Sequence, residues 1–197
     1  MENYLFKILL GGCVGYKRTE IMNRFTTGQS RSGTRIIIGV DFAVHSLVLP
    51  EKEGVVTLQI WDFGEEKQFR SLVPLFSRGA SGAILYFDLL ELETLFKLEE
   101  WIFLLRSQLK NIPILLCGTN CHELADQAGY PKNSIDARIQ DFMHKHHLNG
   151  YFGISVKTGC NISKSFEQLT LLMVQQWSSF SYDLPDRIAP SLSNQIH

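Results

Sequence analysis

After the apolar run Lys7-Ile8-Leu9-Leu10 the chain reads Gly12-Cys13-Val14-Gly15-Tyr16-Lys17-Arg18-Thr19. Small residues directly after a strand let several backbone N–H groups turn inward around an anion, and phosphate suits such a cradle. The full phosphate pattern is glycine, four residues, glycine, lysine, then serine or threonine. Gly12, Gly15 and Thr19 match it. Lys17 falls where the second glycine of the pattern belongs, and Arg18 where the lysine belongs. A side chain at that glycine position risks strain of about 1–3 kcal/mol. Arg18 keeps the positive charge, but its planar fork is expected not to sit in a tight loop as a lysine does. Phosphate binding is therefore expected to be damaged without being excluded. The plainer alternative is that Gly12 and Gly15 only shape a tight strand-to-helix turn.

Three further stretches carry polar chemistry at the ends of apolar runs: Trp61-Asp62-Phe63-Gly64-Glu65-Glu66, Thr119-Asn120-Cys121-His122, and Ser155-Val156-Lys157. The elements that must position them alternate short apolar runs with longer amphipathic ones. That alternation implies a mostly parallel sheet covered on both faces. Tyr4 to Leu10 reads as a buried strand and Thr19 to Phe25 as a short helix. Ile38 to Leu49 and Val55 to Trp61 read as a hairpin around the charged turn Pro50 to Gly54. Ala83 to Phe87 and Ile114 to Cys117 are compact strands, and Phe152 to Ser155 a last short one. Leu95, Leu98, Ile102, Leu105 and Leu109 recur at helical spacing within 92–109. Ile135 to His146 is a weaker helix. Ser163 to Ser179 is a final one, with Phe166, Leu169, Met173 and Trp177 on a single stripe. Residues 1–180 read as one domain, and 181–197, with Pro185 and Pro190, as a loosely ordered tail.

With 197 residues, 45% of them apolar, the chain can bury one sizeable core. Nineteen basic and 20 acidic side chains give a net charge of −1, which argues against nucleic acid or an anionic membrane as the main partner. Four cysteines, Cys13, Cys117, Cys121 and Cys160, are too few and too irregular for a disulfide scaffold, so a reduced, cytoplasmic setting is expected. No signal peptide, membrane span, prenylatable cysteine or myristoylation signal is visible, so membrane contact is expected to be indirect.

Trp61 through Arg70 aligns without gaps on the Trp-Asp-Thr-Ala-Gly-Gln-Glu-Arg-Phe-Arg segment of Rab-type small GTPases, and Ile38-Gly39-Val40-Asp41-Phe42 repeats that family's Ile-Gly-Val-Asp-Phe. Over residues 4–179 the chain resembles a Rab-like member of the Ras superfamily. The resemblance implies a P-loop α/β fold: about six strands, mostly parallel, one antiparallel edge, helices on both faces. It also implies GTP or GDP with Mg²⁺, the ion held by Thr19 and, through water, by Asp62.

The same alignment exposes departures. The glycine and glutamine that sense and hydrolyse the γ-phosphate are Glu65 and Glu66, and the threonine that binds Mg²⁺ is Ile37. Ser30 replaces the aromatic that stacks on guanine. A carboxylate at Glu66 adds like charge where the transition state needs positive charge, so hydrolysis is doubted and no confident catalytic residue remains. Guanine is read in the family by Asn-Lys-x-Asp, here Thr119-Asn120-Cys121-His122, and His122 cannot offer two carboxylate oxygens. Ser155-Val156-Lys157 keeps the last base-contacting element or is a plain turn. Phe42, Trp61 and Phe76 fall on the hydrophobic triad that meets effectors, although core packing accounts equally well for Trp61 and Phe76. The leading reading is a pseudo-GTPase acting as a protein-interaction module in signalling or trafficking. The alternative is an atypical GTP/GDP switch with slow turnover. A third reading places Cys13, Cys121 and Cys160, with His122, in a zinc or thiol redox site where their loops converge. His144, His146 and His147 are expected at a solvated helix end.

Overall fold

The computed structural model describes residues 3–14, 17–28, 39–49, 54–64, 72–109, 111–125 and 132–182. Gly15, Ser30, Ile37, Glu65, Glu66 and the tail from 183 onward lie outside the described residues. In chain order the elements are β1 (Asn3–Gly12), α1 (Lys17–Thr27), β2 (Val40–Leu49), β3 (Gly54–Phe63), α2 (Val73–Phe76), β4 (Ala80–Asp88) and α3 (Glu93–Phe96). There follow α4 (Leu98–Gln108), β5 (Ile114–Thr119), α5 (Cys121–Ala125), α6 (Lys132–Lys145), β6 (Gly150–Gly153) and α7 (Ile162–Tyr182).

The strands form one six-stranded sheet in the order β2-β3-β1-β4-β5-β6. Every neighbouring pair is parallel except β2 with β3, where Val40 faces Phe63 and Leu49 faces Gly54. Strands β4 and β5 are apolar on both faces because helices cover both: Ile84, Leu85, Tyr86, Phe87 and all of Ile114 to Cys117 are buried. Strand β3 instead alternates, with Val56, Leu58 and Ile60 inward, as the two-residue period of a half-covered strand requires. One core layer joins Ile8, Leu10 and Leu58 to Ile21 and Phe25 of α1 and Phe166 and Leu169 of α7. The other joins Leu9, Leu85 and Leu116 to Leu98, Trp101 and Leu105 of α4 and Ile139 of α6.

Five local expectations need correction. The helix read over 92–109 is two helices, because ψ of Lys97 is only −16° and its N–H reaches Glu93 O at a long 3.4 Å. The apolar stripe survives the break, with Leu95, Leu98, Ile102 and Leu105 all buried. The last strand lies two residues earlier than Phe152–Ser155, since the Ser155 N–H turns away to Cys160 O. Helix α7 runs on to Tyr182, past the expected helix end at Ser179. Its stripe also ends early: Trp177 is 58% exposed and touches Phe6 only edge-on. His146 is no freely solvated group either, for it packs on the Phe142 ring and approaches Glu99 Oε1 at 3.3 Å.

Cys117 lies fully buried in β5, and burial pushes its thiol from the ordinary 9.0 up to about 12. In the unfolded chain this thiol ionises first, so the unfolded state sheds a proton that the folded state keeps. Stability is therefore expected to fall as pH rises above 9.0, by at most about 1.4 kcal/mol per pH unit for this one group. Urea unfolding across the alkaline range should show that slope in the native chain and a shallower one in Cys117→Ala. An unchanged slope would assign the effect to other groups.

Candidate functional site

In an open parallel sheet the ligand crevice lies beyond the C-terminal strand ends where neighbouring crossovers part. Here that point is the end of β1, which has β3 on one side and β4 on the other. The chain must turn sharply there. Gly12 has φ +131°, and a Cβ on it would stand 2.1 Å from Tyr86 O, so only glycine fits. The Cys13 N–H then donates to that same carbonyl at 3.0 Å, and α1 begins at Lys17.

Arg18 lies in the first turn of α1 and points back under the loop. Its Nε donates to Asp62 Oδ1 at 2.5 Å and its Nη1 to Gly12 O at 3.1 Å. Thr19 Oγ1 donates to Asp62 Oδ2 at 3.2 Å, so both carboxylate oxygens are engaged. The pair is buried, with 3% of the Arg18 side chain and none of Asp62 exposed. Burial pushes the Asp62 carboxyl up, while Arg18 and Thr19 pull it down and Asp41, opposite it across the β2–β3 ladder, pushes it up again. Arg18 belongs to a helix turn and not to the loop itself. The fork is too large for a loop, but a helix turn aims it beneath the loop, where a carbonyl and a carboxylate receive it.

Lys17 points the other way. Its Nζ donates to Asp88 Oδ2 at 2.7 Å, at the end of β4. Asn120, in the left-handed region at φ +65°, donates its Nδ2 to both oxygens of the same carboxylate, at 2.8 and 2.9 Å. Asp88 thus ties the loop after β1 to the loop after β5. The sequence reading missed it, although an acid closing an apolar strand at the crevice rim was a legible signal.

The matching model of the Ras family covers residues 7–175. This chain belongs to the Ras family. Among Rab proteins it is 29% identical over 168 residues to Rab-11A of Dictyostelium discoideum, covering 85% of this chain and 75% of that one. It is 30% identical over 168 residues to RABA4b of Arabidopsis thaliana, covering 85% and 71%. With Rab-7a of Paramecium octaurelia it shares 26% over 180 residues, covering 89% and 84%. The six-stranded sheet, antiparallel at its β2 edge, is the Ras-like P-loop fold.

Other residues singled out in this Rab-like domain divide by position. Thr119 is buried and donates its hydroxyl to Phe87 O at 3.2 Å, within the sheet. His122 Nδ1 hydrogen-bonds with Ser155 Oγ at 2.7 Å, so the start of α5 and the loop after β6 touch through it. Ser155 Oγ also accepts the Thr158 N–H at 3.1 Å. Val156 packs against the core, whereas Lys157 is exposed. Phe42, Trp61 and Phe76 do meet: the Phe42 and Trp61 ring centroids are 5.1 Å apart and those of Trp61 and Phe76 5.6 Å. Phe42 is 51% exposed, and Lys7 Nζ stands 4.4 Å from the Trp61 ring. The four-residue zinc set is not assembled, since among the described residues no group of three or more His, Cys, Asp or Glu could hold a metal ion.

Removing one partner of a buried ion pair strands the other in a poor solvent. Arg18→Ala is expected to lower unfolding free energy by about 3–5 kcal/mol, while Arg18→Leu with Asp62→Leu should recover most of it. Urea unfolding of the single and double variants decides. Additive losses would contradict the coupling.

Proposed function

We propose that this Rab-like domain is a pseudo-GTPase: a small-GTPase scaffold that serves as a protein-interaction module without depending on bound nucleotide. One observation carries the reading. The guanidinium of Arg18 is already seated on Asp62, and Thr19 spends its hydroxyl on the same carboxylate. A divalent cation needs those oxygens free, and a fixed positive charge 2.5 Å from one of them repels it. The residues present therefore do not fit Mg²⁺ with a nucleoside triphosphate.

The other contacts support the same conclusion. Lys17 neutralises Asp88 and Asn120 hydrogen-bonds to it instead of facing a ligand, and His122 is held by Ser155. Fixed by packing, the exposed Phe42 with Trp61 and Phe76 offers an apolar surface for a protein partner whatever the nucleotide state. Residues 1–180 form the proposed module.

The atypical-switch reading keeps one observation in its favour, the 3.2 Å contact between Thr19 and Asp62, the two side chains that would hold Mg²⁺. Chromatography of the supernatant after denaturing purified protein separates the two. Stoichiometric GDP or GTP supports the switch, and an empty preparation supports the pseudo-GTPase. The double variant Lys17→Gly with Arg18→Lys rebuilds the phosphate-loop motif and frees Asp62. It is expected to gain a Mg²⁺-dependent thermal upshift with GDP that the native chain lacks. With His122 unchanged, ADP should give a similar upshift, because the base is not read by a carboxylate. A native chain that already responds would overturn the reading.

A further inference from the structure

Cys121 is the first residue of α5, just beyond the end of β5, and Cys160 sits in the loop after β6. Both are pinned to the same dipeptide, Ile154-Ser155. The Cys121 N–H donates to Ile154 O at 3.2 Å, and the Ser155 N–H donates to Cys160 O at 3.2 Å. The segment carrying Cys160 is held rigid. Gly159 and Asn161 on either side adopt φ +81° and +56°, the Gly159 N–H donates to Ser155 O at 2.8 Å, and Asn161 Nδ2 donates to Gly153 O at 2.8 Å. This shared framework sets the Cys160 thiol beside the Cys121 thiol. Cys160 is exposed, Cys121 half-buried and Cys117 sealed in the core.

We propose that Cys121 and Cys160 form a redox-modification site, a thiol pair that hydrogen peroxide closes into a disulfide joining the start of α5 to the loop after β6. The exposed Cys160 meets the oxidant first. Its thiolate attacks one peroxide oxygen, the O–O bond breaks, and the departing hydroxide takes a proton to leave as water. Cys160 is then a sulfenic acid. The Cys121 sulfur attacks that sulfur, the S–O bond breaks, and the hydroxyl leaves with the Cys121 proton as a second water. Two thiols lose two electrons and peroxide gains them. Burial, and then the neighbouring Cys160, raise the Cys121 thiol above its ordinary value, which suits a resolving group better than a first target. The new bond locks together the segments that already meet through His122 and Ser155. It stands independently of whether nucleotide binds.

The test treats the folded, full-length chain with stoichiometric hydrogen peroxide, alkylates the remaining thiols and maps peptides without reduction. The expected product joins the Cys121 and Cys160 peptides with loss of two hydrogens, and free thiols fall from four to two. In Cys121→Ser the sulfenic acid has no resolving partner, so dimedone labelling of Cys160 should rise several-fold over the native chain. Circular dichroism checks that the variant folds. A native chain whose Cys160 proceeds to sulfinic acid with Cys121 still alkylated would overturn the proposal. So would a link that engages Cys13, or equal dimedone labelling in both proteins.

Discussion

A guanidinium facing a carboxylate out of reach of water holds the crevice of this domain in shape. Arg18 and Asp62 come from different parts of the chain, the first turn of α1 and the end of β3, and Gly12 at the end of β1 receives the same guanidinium. Either charge alone in that position would be costly, and each makes the other tolerable. The pair therefore fixes the start of α1 against two strands. It also dictates the neighbour: successive residues of a helix point in directions about 100° apart, so an inward Arg18 sends Lys17 sideways. Asp88 is waiting there.

From this pair the rest of the rim follows as a chain of internal contacts. Asp88 collects Lys17 and Asn120, and Asn120 leads into Cys121 and His122. His122 reaches Ser155, whose own N–H closes the short loop that presents Cys160. Loops that in a nucleotide-dependent relative would be ordered by a ligand are here tied by side chains to one another. On the proposed reading this is why the apolar triad on β2, β3 and α2 can keep one arrangement: its supports do not depend on a γ-phosphate.

Much of this was legible in the residues. Strands at the centre of the sheet announced themselves as short continuous apolar runs, and the period of α7 gave its buried face as far as Met173. The errors have local physical causes. A helix broken at Lys97 leaves the apolar spacing on both sides intact, so periodicity alone cannot detect it. The partners of Arg18 could not be read from its comparison with a loop lysine, because the residue belongs to a helix turn and reaches Asp62 and the Gly12 carbonyl. Of the three cysteine loops expected to converge, the segments of Cys121 and Cys160 share a backbone scaffold through Ile154 and Ser155, which no spacing in the chain reveals.

By itself the sequence determined the family, the six-stranded framework and the loss of the glycine and lysine of the phosphate motif, because these depend on residue type and order along the chain. What fills the places of the lost groups was decided only in three dimensions. Arg18 with Asp62, Lys17 with Asp88 and Cys121 with Cys160 are separated by 44, 71 and 39 residues in the chain. Pairings over such distances are set by strand register and helix phase, which place side chains to within an ångström. No one-dimensional pattern carries that information.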